Sequence, residues 1–303
     1  AKALTVAQAA AITSVQAGAL TSDEIGALGN AQFASLTSAV VGKLTNEAIS
    51  AITTGQAKLL TTDQIKALSS AQFVNLSTAD IAVLDGTQYA AISSTVIPNL
   101  TTDQVAAIST TTLNGLNASG QFAKLTSTQI GALTSTQAKA LTSAQLKELG
   151  SAQISQLSAG AVAALTSAQV TGIDSADFSA LSTDQLQALS TSSVASLSSA
   201  QFSKLNSSHL AALTTAQAKA LTVNELQTLD SAEISNLTAT QVGVLNSAQL
   251  NGIQSTVIGT LSNDQVQALS TSALVGLDSA HVSKLSSTQV GALTTAQVKV
   301  LTS

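Results

Sequence analysis

The sequence predicts an all-α fold, an elongated solenoid or superhelix built from very short capped helices, one per eight-residue repeat. Three observations carry this. The same octad recurs thirty-seven times between Thr5 and Leu301, as in TSDEIGAL (21–28), TTDQIKAL (61–68) and TTAQVKVL (294–301). Each copy opens with the polar residues that start a helix. Its two always-apolar positions lie three residues apart, which is one face of a helix and opposite faces of a strand.

Numbering the octad 1 to 8, position 1 is Ser, Thr, Asn or Asp in every copy except those beginning at Gly29, Gly150 and Gln254. Position 4 is Gln or Glu in 25 of the 37 copies, so most octads spell a capping box. In that motif the position-1 hydroxyl accepts from the position-4 amide, and the position-4 side chain reaches back to the position-1 amide. Read this way, the Gln is a cap-side group contributing about 1 kcal/mol or less. Position 5 is apolar throughout and position 8 is always Leu or Ile. Position 8 also precedes the next cap, so it pairs with the next position 5 as a hydrophobic staple that sets the angle at which the chain joins the helix. Ala, frequent at position 7, is a strong helix former.

A continuous helix does not fit a period of eight, because two turns take about 7.2 residues and the apolar stripe would rotate steadily. Each octad is therefore a helix of about one and a half turns followed by a corner. Two buried aliphatic side chains do not offset the entropy of ordering eight residues, so copies must stack. Residues 1–303 are expected to form a single continuous array of 37 octads. The frame slips once, in the nine-residue copy NASGQFAKL (117–125).

A longer period of ten octads, 80 residues, overlies the short one. Lys43, Lys124, Lys204 and Lys284 share one phase; Lys58, Lys139, Lys219 and Lys299 share another. Asp23, Asp103, Asp184 and Asp264 mark a third, and Ile12, Ile92, Ile173 and Ile253 a fourth. Duplication of an 80-residue segment accounts for these columns. So does a superhelix that returns to the same face after ten octads, for instance as five coils of two.

Composition narrows the function classes. Only 9% of residues are charged, with eleven Lys, no Arg and a net charge of −5, so no basic face exists to neutralise phosphates. Nucleic acid is not an expected partner. The absence of Cys excludes disulfides and thiolate metal sites, and no apolar run has the length of a membrane span. The chain begins in register without a basic or apolar leader, so a targeting signal is expected outside this sequence.

The residues that could carry chemistry fall on the repeat. His209 and His281 both occupy position 4, 72 residues apart, and are expected to replace Gln as polar groups beside the cap. Phe33, Phe73, Phe122, Phe178, Phe202 and Tyr89 all occupy position 5 and are expected in the core. Asp23–Glu24 and Asp174 with Asp177 lack the alternating oxygen ligands of a calcium loop and read as caps and first-turn acids. Pro98, at position 6 of SSTVIPNL, is expected to disturb its turn; the matching positions are Ser179 and Gly259. No catalytic, cofactor-binding or metal residues are predicted, and an enzyme is not expected.

The segment LTTDQVAAI (100–108) resembles the opening of the helical repeats in TAL-effector DNA-binding proteins. Those repeats are longer, have a second helix and are strongly basic, so DNA reading does not carry over. A wider resemblance covers the chain. Runs such as ALTSTQAKALTSAQLKEL (132–149) resemble the LTTAQ-x-x-A arrays of very large bacterial secreted and cell-surface proteins, often labelled haemolysin-like or haem-utilisation proteins. That resemblance implies export and an extracellular or cell-surface location in bacteria. The expected role is a non-enzymatic spacer, stalk or matrix/filament component that associates with itself or with other surface and matrix components. The alternative is an adhesin-like solenoid that binds a peptide, glycan or partner protein.

Overall fold

The computed structural model describes residues 4–116 and 120–301, and these are helical with no strand among them. Short helices follow one another at octad spacing, for example Thr62–Ala67, Thr183–Ala188 and Thr215–Ala220. The expected solenoid of short capped helices is the fold observed. Thr61 shows why each helix begins where it does. Its extended backbone turns the chain into the helix, and its hydroxyl accepts from the Gln64 amide. Gln64 returns the bond, its Oε1 accepting from the Thr61 amide at 2.8 Å. At Gly29, where position 1 has no side chain, the Gln32 half of the box is kept: Oε1 accepts from the Gly29 amide at 2.6 Å.

Two compact units are present. One comprises residues up to Glu148 together with Gln156–Ala161; the other comprises Leu149–Ser155 and the chain from Val162 onward. The internal plan is the same in both. Each helix packs on the helix three octads ahead, as Ser22–Ala27 does on Asn46–Ser50 in the first unit and Thr183–Ala188 does on Ser207–Ala212 in the second. Side chains at position 4 reach back four octads: Gln56 to Leu28 in the first unit, Gln217 to Leu189 in the second. One coil therefore takes between three and four octads. Coils of two are not what the chain forms, and ten octads make about three coils.

The core follows the octad. Position 5 is buried in every copy from Ala9 to Leu274, and the five Phe and Tyr89 lie at 0–1% exposure. In the last three octads the same position is open, with Val282, Val290 and Val298 at 41, 50 and 45%. Those octads have no described helix three copies ahead to cover them. Cover for position 5 therefore comes from the coil that follows.

Two departures from regularity have local causes. Residues 117–119 of the nine-residue copy lie outside the described residues. Gly120 has a left-handed backbone at φ 66°, which glycine tolerates without steric cost. Across the extra residue the backward reach lengthens by one: Gln129 bonds Leu100, 29 residues earlier, where Gln104 bonds Leu76, 28 earlier. The ladder stays in phase across the slip. Pro98 lies in a 3-10 turn, Ile97–Asn99. The corresponding Ser175–Ala180 is also 3-10, without a proline, while Ser255–Ile258 is an ordinary α-helix. Proline is thus not required for the irregularity.

Candidate functional site

The polar residue at position 4 does more than close a cap. Gln56 shows the full arrangement. Its Oε1 accepts from the Thr53 amide at 2.8 Å, while its Nε2 donates to the Ile25 and Leu28 carbonyls at 2.9 and 2.8 Å. The carbonyls belong to the end of a helix in the preceding coil, where the helix's own amides run out; that of Ile25 also accepts from the Leu28 amide at 3.1 Å. Gln56 is 0% exposed and Gln217 1%. One side chain thus ties a helix start to a helix end one coil away, and repetition makes a buried ladder of rungs: Gln64 to Leu36, Gln201 to Ile173, Gln249 to Leu221, Gln297 to Leu269. Position 4 was expected beside the cap; its inter-coil role is set by packing. The only trace of that role in sequence is the preference for Gln over Glu, since a carboxylate has no donor to offer a carbonyl.

The two histidines lie where the repeat put them, as rungs, and in two different states. His209 Nδ1 accepts from the Asn206 amide at 3.2 Å, so Nε2 carries the hydrogen and donates to the Leu181 carbonyl at 2.7 Å. At His281 the N-cap is Asp278, and Nδ1 sits 2.6 Å from its Oδ1 while Nε2 sits 2.7 Å from the Ile253 carbonyl. Both ring nitrogens face acceptors, which is the pattern of an imidazolium. Burial pulls the His281 pKa down, but the Ile253 carbonyl and the Asp278 carboxylate together outweigh it and raise the pKa above the ordinary value. The hydrogen bond from His281 holds Asp278 below the usual carboxylate range. The Asp278 amide, displaced from the box, donates to Asn251 Oδ1 at 3.2 Å.

The acids serve local roles. Glu24 is exposed and accepts from the Thr21 amide and hydroxyl, bonds that lower its pKa. Asp174 caps its turn through the Ala176 amide, and Asp177 accepts from the Ser151 hydroxyl at 2.5 Å. Asp23 stands in the first turn of its helix. Tyr89 is buried, its hydroxyl donating to the Ile81 carbonyl at 3.3 Å, and burial raises its pKa. Among the described residues no cluster of three or more His, Asp and Glu is placed to hold a metal ion, and no helix is long and apolar enough to cross a membrane.

The surface dips between coils. A groove of about 490 Å³ in the second unit is bordered by Lys219, Gly243, Asn246, Ser247 and Ser272, and one of about 440 Å³ in the first by Ser38, Gly42 and Lys43. Both run beside close approaches. A Cβ on Gly243 would stand 2.6 Å from the Ala268 carbonyl oxygen, and one on Gly42 would stand 2.8 Å from that of Ala67.

Against known families, residues 170–207 match the ALTTAQ repeat. That stretch runs from Val170 in one rung-bearing octad to Ser207 in another, so the matched segment is a sample of the array described above. No curated protein matches the chain. The chain is a repeat array of short helices.

Proposed function

We propose that the chain is a non-enzymatic structural repeat region, a spacer, stalk or matrix/filament component of a bacterial cell-surface or secreted protein. The observation that carries this reading is the fate of the reactive side chains. Both histidines and the buried Gln residues are spent on holding coil to coil, the N-cap acids on closing their own helices, and each groove carries a single charged side chain, one Lys. A surface rich in Ser and Thr with few charges keeps such a body hydrated. The similarity to the ALTTAQ repeat supports the repeat-array part of the reading; the resemblance to exported bacterial arrays supports the location.

The test is length. A spacer is a device for separation, so removing whole coils shortens it and leaves the rest intact. Small-angle scattering on the chain and on a variant lacking residues 198–277, ten octads, should give a maximum dimension that falls in proportion. Antibody against the array should label intact cells of its host. A maximum dimension unchanged by the deletion, or labelling confined to lysed cells, would overturn the proposal.

A further inference from the structure

Two rungs of the ladder have a buried carboxylate oxygen without a partner where the repeat calls for a donor, Asp80 in the first unit and Glu225 in the second; the second is the more deeply enclosed. In the copy TVNELQTL (222–229) position 4 is Glu225, 0% exposed. Its Oε2 takes both of the contacts that the Gln Oε1 takes elsewhere, accepting from the Thr222 amide at 2.6 Å and the Thr222 hydroxyl at 3.1 Å. Its other oxygen, Oε1, is buried without a hydrogen-bond partner. In the neighbouring rungs the corresponding atom is an Nε2 that donates to the carbonyl 28 residues earlier, Leu189 for Gln217 and Leu221 for Gln249; Gln217 also donates to the Leu186 carbonyl, 31 residues earlier. By that register the carbonyl opposite Glu225 is Leu197. An ionised Glu225 would set a carboxylate oxygen against a carbonyl oxygen in a dry interior, which costs the desolvation of both with no compensating bond.

We propose that Glu225 is a protonated carboxylic acid in the folded chain, and that its Oε1–H is the donor that completes the rung to the Leu197 carbonyl. The proton substitutes for the missing amide hydrogen, and the second unit thereby contains a proton-binding site built into its coil-to-coil ladder. Burial also pushes the Glu225 pKa up, against the lowering effect of the Thr222 hydrogen bonds. No nearby charge opposes this. The helix Val223–Leu226 packs on Ser199–Phe202 and Ser247–Gly252, and its rung reaches toward Thr191–Val194. None of these segments carries a titratable side chain, and Lys204, Lys219 and Asp230, next to them in sequence, are exposed. The same residue type at the same octad position behaves oppositely at Glu24, where solvent reaches it and its pKa is lowered. Full burial at Glu225 is what makes the difference.

A group whose pKa is raised on folding contributes stability that is fully present below its unfolded value and lost as the pH rises through the folded value. The second unit should therefore loosen at this rung as the pH rises from the carboxylate range toward neutrality. Glu225→Gln restores the amide donor and removes the proton requirement. Urea midpoints for the intact chain and for Glu225→Gln, measured from acid to slightly alkaline pH at fixed salt, give the readout. The difference between the two curves cancels every other titrating group. It should be near zero in acid and widen in favour of Glu225→Gln as the pH rises, and carboxyl NMR on the intact chain should show Glu225 titrating above the ordinary carboxylate range. Parallel curves at all pH values, or a Glu225 carboxyl that titrates in the ordinary range, would overturn the proposal. So would a stabilisation of the intact chain by added potassium or sodium that Glu225→Gln lacks, since a bound cation would then occupy the place assigned to the proton.

Discussion

The amide of Gln217 donates to the carbonyl of Leu189 at 2.9 Å across 28 residues of chain, while its Oε1 closes the cap of its own helix on Thr214. Two helix termini, each short of partners, are satisfied by one buried side chain. This is why an octad too short to be stable as an isolated helix persists in the stack.

Gln217→Ala should cost about 2 to 4 kcal/mol, because it leaves the Leu189 carbonyl buried and unpaired besides losing the cap. Thr214→Ala removes the hydroxyl half of the box alone and should cost about 1 kcal/mol. Equilibrium urea denaturation ranks the two, and equal costs would mean that the inter-coil bond contributes nothing.

Leu189, at position 8, is 4% exposed. Leu189→Ala should cost about 2 to 5 kcal/mol through lost burial and the cavity left behind. An unchanged melting temperature in calorimetry would remove position 8 from the core.

Gly243→Ala drives a methyl group to 2.6 Å from the Ala268 carbonyl oxygen and should destabilise by about 1 to 3 kcal/mol. Gly291 is also helical, but nothing lies within 4 Å of its would-be Cβ. Gly291→Ala should therefore be neutral or stabilising by up to about 1 kcal/mol. Opposite signs in paired thermal melts are the expected result.

The His281–Asp278 pair should give a second pH signature. The raised pKa of His281 means its contribution is fully present below its ordinary value of 6.5 and is lost as the pH rises through the raised value. Asp278, lowered, contributes above the ordinary carboxylate value and loses that contribution as the pH falls through the lowered one. Asp278→Asn recreates the cap found at His209, so proton NMR should show the His281 titration moving to lower pH. A His281 titration indifferent to this substitution would mean that Asp278 does not hold the imidazolium.

The sequence by itself determined the local unit. Thr or Ser at position 1 with Gln at position 4 defines each helix start, and the apolar residues at positions 5 and 8 define its buried face, because capping and staple contacts span only a few residues. That was enough to place Tyr89, the five Phe, His209 and His281 on the correct positions of the repeat. Tertiary structure alone decided what those positions meet. Nothing within an octad says that a coil closes after three to four copies, so the partner of Gln217 could not be read from the letters around it. The same is true of the charge states. His209 and His281 share a position but differ in the cap beside them, and Glu24 and Glu225 differ in whether solvent reaches them. Desolvation and long-range hydrogen bonding are properties of the stack, and they are settled where residues about 28 apart come together.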